Sequence, residues 1–436
     1  MAIIAPFRAL RYDPARVPLP DVVTQPYDKI TTQMQEAYYK ANPFNLVRII
    51  LGRTDPGDNE QDNVYSRAAA AFKQWRKEGI FLQDPQPSIY AYTQRFTVTG
   101  SAGAREYERR GFIALGKIED YDAGVVFRHE QTLAKPKADR LQLLRATRAH
   151  FGQIFMLYRD STRGIETLLN SDAPPDVDIR DEYGVLHRVW RISAPSTLES
   201  LRTKMADKKL IIADGHHRYE TALTYRNERR AEAASTPGNA IHPNDFVMMT
   251  FVNMESEGVV ILPTHRVVHS LASFNAEEFF QRASRYFDLE DVSVELSPKR
   301  ATSLLSEAGM KGTAFLAVTA RKVFLLRARP GAAASLLNAF STLQQQLDVV
   351  QLHKVLLENV LGISEEAIRN QQNISYLREA ADAMRGVHDG ANIAFLMNPA
   401  RMEQVRDVAF AGQVLPQKST DFYPKLLSGL TVYALD

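Results

Sequence analysis

The chain reads as a mixed α/β (α+β) protein. Strand-length apolar runs interleave with segments of helical period in both halves. Near the middle, a buried-type strand passes directly into a helix through a glycine corner. The pattern shifts after Pro263, which predicts two domains, 1–268 and 269–436, the second ending in a tail of about 415–436 that suits either folding back on the site or an ordinary anchored end.

In the first half, 45–51 (NLVRIIL) reads as a short strand. Residues 63–78 form a helix, with Tyr65, Ala69, Phe72 and Trp75 spaced three or four apart. Residues 88–98 and 106–115 alternate as two antiparallel strands joined by a glycine-containing turn. A charged helix starts at Pro136, carrying Leu141 and Leu144 on one side, and 153–158 follows as a strand. Residues 208–213 (KKLIIA) make the central strand and 219–230 the helix after the corner. Residues 246–253 and 258–262 suggest a hairpin around ESEG. Beyond it come helix 276–286, strand 288–296, helix 298–308 and a hairpin across 313–328. Helices near 332–340 and 349–361, strand 393–397 and helix 401–411 complete the pattern. Breaker-rich stretches at 52–63, 171–175 and 233–244 read as exposed loops.

Composition narrows the function classes. With 436 residues, 45% hydrophobic and 24% charged, the chain can bury substantial cores. Lys and Arg number 53 against 51 Asp and Glu, a net +2 that gives no global reason to expect nucleic acid or a membrane surface. The absence of cysteine excludes disulfides, thiol catalysis, cysteine-ligated zinc and iron–sulfur clusters. The first residues reach Arg8 before any signal-peptide core, and no run of about 18 apolar residues occurs. A soluble cytoplasmic protein is expected.

The corner Asp214-Gly215-His216-His217-Arg218 carries the strongest chemical signal. A strand feeding a glycine and then a helix aims backbone N–H groups and the positive end of the helix dipole at one spot, where phosphate is stabilised. Gly215 permits close backbone approach. Arg218 offers a planar fork of donors. His216 and His217 can donate to phosphate or move a proton. Asp214 suits Mg²⁺ or the orientation of a histidine. The plainer reading is a capped helix whose first turn is decorated by these side chains. A transition-metal site is weaker, because adjacent histidines diverge and no His-Glu-x-x-His pair exists.

A second cluster, His129-Glu130-Gln131-Thr132 followed by Lys137, Asp139 and Arg140, offers Glu130 as a base and Lys137 and Arg140 for phosphate charge, against a plain reading as a solvated loop. His265 and Arg266 end a probable strand or occupy a surface turn, and with His129 and Asp139 they are candidates for substrate contact. Residues 418–425 (KSTDFYPK) suit either a lid carrying Lys418 over a phosphate or an ordinary tail anchored by Phe422 and Tyr423. His353 reads as a satisfied core histidine. Arg8, Arg11, Tyr12 and Asp13, with residues 25–28, form two polar-aromatic loops. No P-loop, dinucleotide fingerprint, nucleophile elbow or protein-kinase signature is found.

Through these residues the chain resembles a bacterial and archaeal family known as domain of unknown function number 1015. The matching stretches are 7–13 (FRALRYD), 25–28 (QPYD), 42–48 (NPFNLVR), 129–132 with 137–141, 213–220 (ADGHHRYE), 262–266 (LPTHR), 347–353 and 415–429. The Asp-Gly-His-His-Arg element also resembles the phosphate-handling corner of the ParB/sulfiredoxin fold, which includes nucleotide-dependent free-serine kinases. That likeness implies phosphate contacts for Gly215, His216, His217 and Arg218, a metal-associated or basic role for Asp214, and Glu130 as counterpart of the catalytic glutamate. The expectation is a phosphotransferase using ATP or ADP with Mg²⁺ on a small hydroxyl compound such as serine. The alternatives are a non-catalytic nucleotide- or nucleic-acid-binding regulator and a phosphate-ester hydrolase.

Overall fold

The computed structural model describes residues 2–100, 103–130, 134–233, 242–294 and 296–436. Gln131 and Thr132, the turn of the first hairpin at 101–102, most of the expected loop 233–244 and residue 295 lie outside the described residues. The architecture is mixed α/β. Among the described residues, a nine-stranded sheet contains both parallel and antiparallel pairs. Its order runs Val126–Phe127, Leu210–Asp214, Ile154–Tyr158, Phe246–Asn253, Gly103–Lys117, Ile89–Gly100, Leu186–Ile192 and Val177–Arg180, with Ile4–Ala5 joined to Gly103–Lys117. The long hairpin Ile89–Gly100 with Gly103–Lys117 pairs Tyr90 with Ile113 and Val98 with Arg105.

A second, six-stranded sheet is antiparallel throughout. Its order is Phe287–Asp291, Val323–Ala328, Ala314–Val318, Ile393–Met397, His265–Val268 and Ile374–Leu377. One buried cluster runs through both sheets: Tyr90, Ile113 and Phe155 from the first, and Phe287, Phe315 and Phe395 from the second. Phe422, Leu426 and Leu427 of the tail belong to the same cluster.

The structure departs from the sequence reading at several elements. Residues 45–51 contain a four-residue helix, Val47–Ile50, not a strand. The Asn45 side chain turns the backbone by accepting from the Val47 N–H at 2.9 Å, and Leu46, Val47, Ile49 and Ile50 are all buried. A short run buried on every side has no period that separates helix from strand. The hairpin around ESEG is absent. Phe246–Asn253 is buried along its whole length, with Gly103–Lys117 on one edge and Ile154–Tyr158 on the other. Val260–Leu262 pairs with tail strand Asp421–Tyr423. Residues 276–286 shorten to helix Ala276–Ala283, 288–296 to strand Phe287–Asp291, and 332–340 to Ala334–Leu337. Residues 349–361 begin as α-helix Asp348–Gln351 and widen into a π-helix, Leu352–Val360. His353 is buried there, but its Nε2 has no hydrogen-bond partner, so it is not satisfied.

The tail returns to the N-terminal segments that flank the first sheet. Thr24 and Ser428 exchange backbone bonds of 3.1 and 2.8 Å, and Leu10 and Val432 exchange two of 2.9 Å. Arg109, 1% exposed, reaches from Gly103–Lys117 to the carbonyls of Tyr423 and Pro424, and its guanidinium lies 4.6 Å over the Phe155 ring. Burial lowers its pKa to about 10, which leaves it charged at neutral pH. Arg109→Met would orphan those carbonyls and the Gln94 side chain that also bonds the guanidinium. The expected loss is about 3 kcal/mol or more in urea unfolding. A loss below about 1 kcal/mol would mean that the tail is held by other contacts.

Candidate functional site

The site begins at the end of a strand. Leu210–Asp214 carries a bulge between Ile212 and Asp214, which re-aims the strand end. Gly215 follows with φ +93°, a conformation that L side chains rarely adopt. A Cβ there would lie 3.0 Å from the Arg218 guanidinium. Helix His216–Ala233 starts at once, and the Gly215 carbonyl accepts from the Tyr219 N–H at 2.9 Å. His216, His217 and Arg218 therefore occupy the first helical turn, where N–H groups lack partners within the helix and the dipole is positive.

This corner opens on a cavity of about 80 Å³. Asp214 through Arg218 form one wall, Tyr27, Asp28 and Lys29 another, and Lys418, Thr420 and Lys425 of the tail a third, with Glu130 completing it. Four cations thus meet two corner-facing carboxylates and Asp28. Asp214 Oδ2 lies 3.6 Å from Arg218 Nη2 and 3.8 Å from Lys425 Nζ. Lys425 Nζ is 3.1 Å from Asp421 Oδ1, which is 3.7 Å from Lys29 Nζ. Arg378 Nη2 holds the other Asp421 oxygen at 2.7 Å.

The electrostatics separate the carboxylates. Burial works against the Asp214 anion, but Lys425, Arg218 and Lys29 outweigh it and hold its pKa well below the usual range. Asp421 is likewise pulled down to about 2 by Lys425, Lys29 and Arg378 against the cost of burial. Glu130 goes the other way. Burial raises its pKa and the Asp214 charge adds to the rise, against the pull of Lys418. Burial disfavours the Lys425 cation, yet Asp214, Asp421 and Asp28 raise its pKa overall. The Lys29 pKa falls through burial and its two lysine neighbours. His216 and His217 are both lowered, mainly by burial, and stay neutral near pH 7.

Glu130 is held by the tail. Its Oε1 accepts from the backbone N–H of Lys418 at 2.9 Å. Lys418 has φ +58°, an unusual conformation for a residue with a side chain. Its carbonyl accepts from Arg266 Nη2 at 3.0 Å. Arg266, 1% exposed, also bonds the Thr264 carbonyl and lies 5.3 Å from the Tyr376 ring centre. It reaches the site through the backbone of Lys418, not from a surface turn. His265 is buried too, and its Nδ1 accepts from the Met397 N–H at 3.2 Å.

Other sequence candidates stand apart from the cavity. His129 is fully buried, with Nδ1 donating to the Ile212 carbonyl at 2.7 Å and Nε2 accepting from Thr420 at 2.8 Å. Lys137 pairs with Glu220 at 2.9 Å. Asp139 accepts from Tyr65 at 2.9 Å and from Arg140 Nε at 2.7 Å, while the Arg140 guanidinium lies over the Tyr27 ring at 4.1 Å. Arg140 borders a separate cavity of about 70 Å³. Conversely, Lys29 and Lys425 line the site without having been singled out. Each directly extends or ends a polar-aromatic stretch that was (QPYD before Lys29, KSTDFYPK ending in Lys425).

Magnesium takes six oxygen donors in a near-ideal octahedron. Among the described residues no group of three or more His, Asp or Glu side chains could hold a metal. Asp214, the expected ligand, faces Lys425 and Arg218 instead. The residues present do not fit a metal held by the protein itself.

The chain belongs to the family described as Protein of unknown function (DUF1015), which it matches over residues 4–350. No curated protein matches it. Among solved structures, a free serine kinase in complex with ADP is 13% identical, with 70% of this chain and 89% of that chain covered and a TM-score of 0.35. A conserved hypothetical protein from Pyrococcus furiosus is 13% identical over 69% of this chain and 89% of that chain, with a TM-score of 0.34. SbnI from Staphylococcus aureus with a C-terminal truncation is 9% identical over 74% of this chain and 87% of that chain, with a TM-score of 0.35. Among the described residues no helix is long and apolar enough to cross a membrane.

The histidines make stability depend on pH. Burial lowers the pKa of His129, His150 and His265 to about 4 in the folded protein. In the unfolded chain they protonate near 6.5. Between those values the unfolded state binds more protons, so stability is complete above about pH 6.5 and is lost as pH falls toward 4. For His129 alone this is up to about 3 kcal/mol. Thermal melts from pH 7.5 to 4.5 should show a falling Tm, with a shallower slope in His129→Gln. Equal slopes would mean that His129 does not titrate as described.

Proposed function

We propose that this member of the family is a small-molecule kinase that transfers a phosphoryl group from ATP or ADP to a small hydroxyl compound, with free serine as the first acceptor to test. The reading rests on one observation: two carboxylates pushed in opposite directions beside a single cationic cavity. Such a split assigns roles. Asp214 is too acidic for a base, so its charge serves to hold Lys425 and Arg218 in place. Glu130, whose pKa is raised by burial, is the better proton acceptor of the two.

Phosphoryl transfer asks a protein mainly for positioning and charge neutralisation. The transferred group sits against the helix N-terminus, between Arg218, Lys29 and the two tail lysines. Glu130 takes the acceptor's hydroxyl proton as its oxygen bonds to phosphorus and the bond from phosphorus to the leaving nucleotide oxygen breaks. Neutral His216 and His217 supply hydrogen bonds without adding charge. No step here runs through a metal, and a cation arriving with the nucleotide would be the nucleotide's own.

The net charge of +2 gives nucleic acid no broad attraction, which leaves the nucleic-acid form of the regulator reading without support from composition. Hydrolysis needs the same cavity with water as acceptor.

Three outcomes are expected. ADP or ATP should raise the Tm of the folded protein, because a ligand that binds only that state stabilises it. Absence of any shift with or without Mg²⁺ would remove the nucleotide from the proposal. Glu130→Gln keeps the acceptor for the Lys418 N–H but not the base, so kcat should fall about 10²–10⁴-fold with nucleotide affinity unchanged. Asp214→Asn and His217→Ala should each abolish turnover with an unchanged circular dichroism spectrum. Full activity of Asp214→Asn, or phosphate release that ignores every acceptor, would overturn the kinase reading.

A further inference from the structure

The corner cavity, at about 80 Å³, has room for a phosphoryl group and little more. Pockets that enclose a ligand the size of a nucleoside run to about 300–1,000 Å³. Two neighbouring spaces share its walls. The first, about 70 Å³, lies past Tyr27 and Arg218 among Leu143, Leu144 and Phe151, and is also too small. The second is a cleft of about 1220 Å³ that shares Lys29, Lys418 and Thr420 with the cavity.

This cleft runs between the two sheets. Residues 97–100, at the end of strand Ile89–Gly100, border it from the first sheet. Helix Pro298–Gly309 and strand Ile374–Leu377 border it from the second unit of structure. We infer that the base and sugar of the nucleotide lie in this cleft, with the phosphate chain passing Lys29, Lys418 and Thr420 into the corner. The inference rests on the kinase reading and adds where the nucleoside is recognised.

The wall chemistry suits that occupant. Tyr376 and Tyr423 both line the cleft, and tyrosine rings present flat apolar faces on which a purine stacks. Thr302 and Ser375 are exposed on its walls and offer hydroxyls to a sugar. Arg378, whose guanidinium lies 4.8 Å from the Tyr423 ring centre, links the cleft to Asp421 and so to the lysines of the cavity. The first sheet then supplies the chemistry, and the second supplies recognition of the nucleoside.

The test compares two probes by isothermal titration calorimetry. Pyrophosphate reads the corner alone, and ADP reads the corner plus the cleft. Wild-type protein should bind ADP at least tenfold more tightly than pyrophosphate. Thr302→Trp and Ser375→Trp, two exposed positions on different elements, should each lose at least tenfold in ADP affinity while pyrophosphate affinity holds, which also shows that each variant is folded. Equal wild-type affinity for the two probes overturns the inference and leaves the corner intact. Undiminished ADP affinity in both variants, or equal loss of both probes, overturns it as well. If the wild-type protein binds neither probe, the kinase reading itself falls.

Discussion

The contact on which the geometry of the corner depends is the ion pair between Asp214 and Lys425. Lys425 is buried, and an ammonium group taken out of water costs several kcal/mol unless anions compensate it. Asp214 and Asp421 are those anions. The charges then alternate along a chain from Lys29 through Asp421, Lys425 and Asp214 to Arg218. Removing either carboxylate would leave like charges facing each other at close range. The same pairing holds the tail against the first sheet, which in turn carries the Lys418 N–H to Glu130. Charge balance and the placement of Glu130 are therefore one constraint.

That constraint also explains why the groups nearest the corner differ so much in acidity. A carboxylate ringed by cations stays ionised, whereas one sheltered from water and close to another anion holds its proton more readily. The imidazoles respond to burial in the opposite sense and remain neutral donors and acceptors. An anion entering the cavity thus meets fixed positive charge, neutral hydrogen-bonding groups and one carboxylate able to exchange a proton.

Much of this was legible in the chain. The strand into Asp214, the helix after it and the long hairpin follow from apolar period and from the glycine. The crowding of cationic and imidazole side chains at the corner follows from the residue types set between a strand and a helix. Three features were not legible, each for a physical reason. The fully buried run Leu46 to Ile50 has no polar face to reveal its period. The partner of Val260–Leu262 lies in the tail, and sequence proximity favoured a local hairpin over that distant strand. Lys29 looks like an ordinary surface lysine, because nothing local shows that folding will bring it to Asp421. His129 and Arg266 were singled out for their chemistry, yet one bonds the Ile212 carbonyl and Thr420 while the other supports the Lys418 backbone. Residue type alone cannot separate a ligand contact from a buried support.

The return of residues 415–435 to the N-terminal segments also bears on the order in which the molecule can be made. Lys29, Glu130 and Asp214 emerge from the ribosome early, and domains tend to settle in order of synthesis. Lys425, which pairs with Asp214, and Lys418, whose N–H anchors Glu130, come only after the whole second sheet has been translated. Until then Asp214 has Arg218 and Lys29 but not Lys425, and Val260–Leu262 lacks its strand partner. A half-made chain therefore lacks one wall of the cavity and the backbone hold on Glu130, and both arrive in one late step.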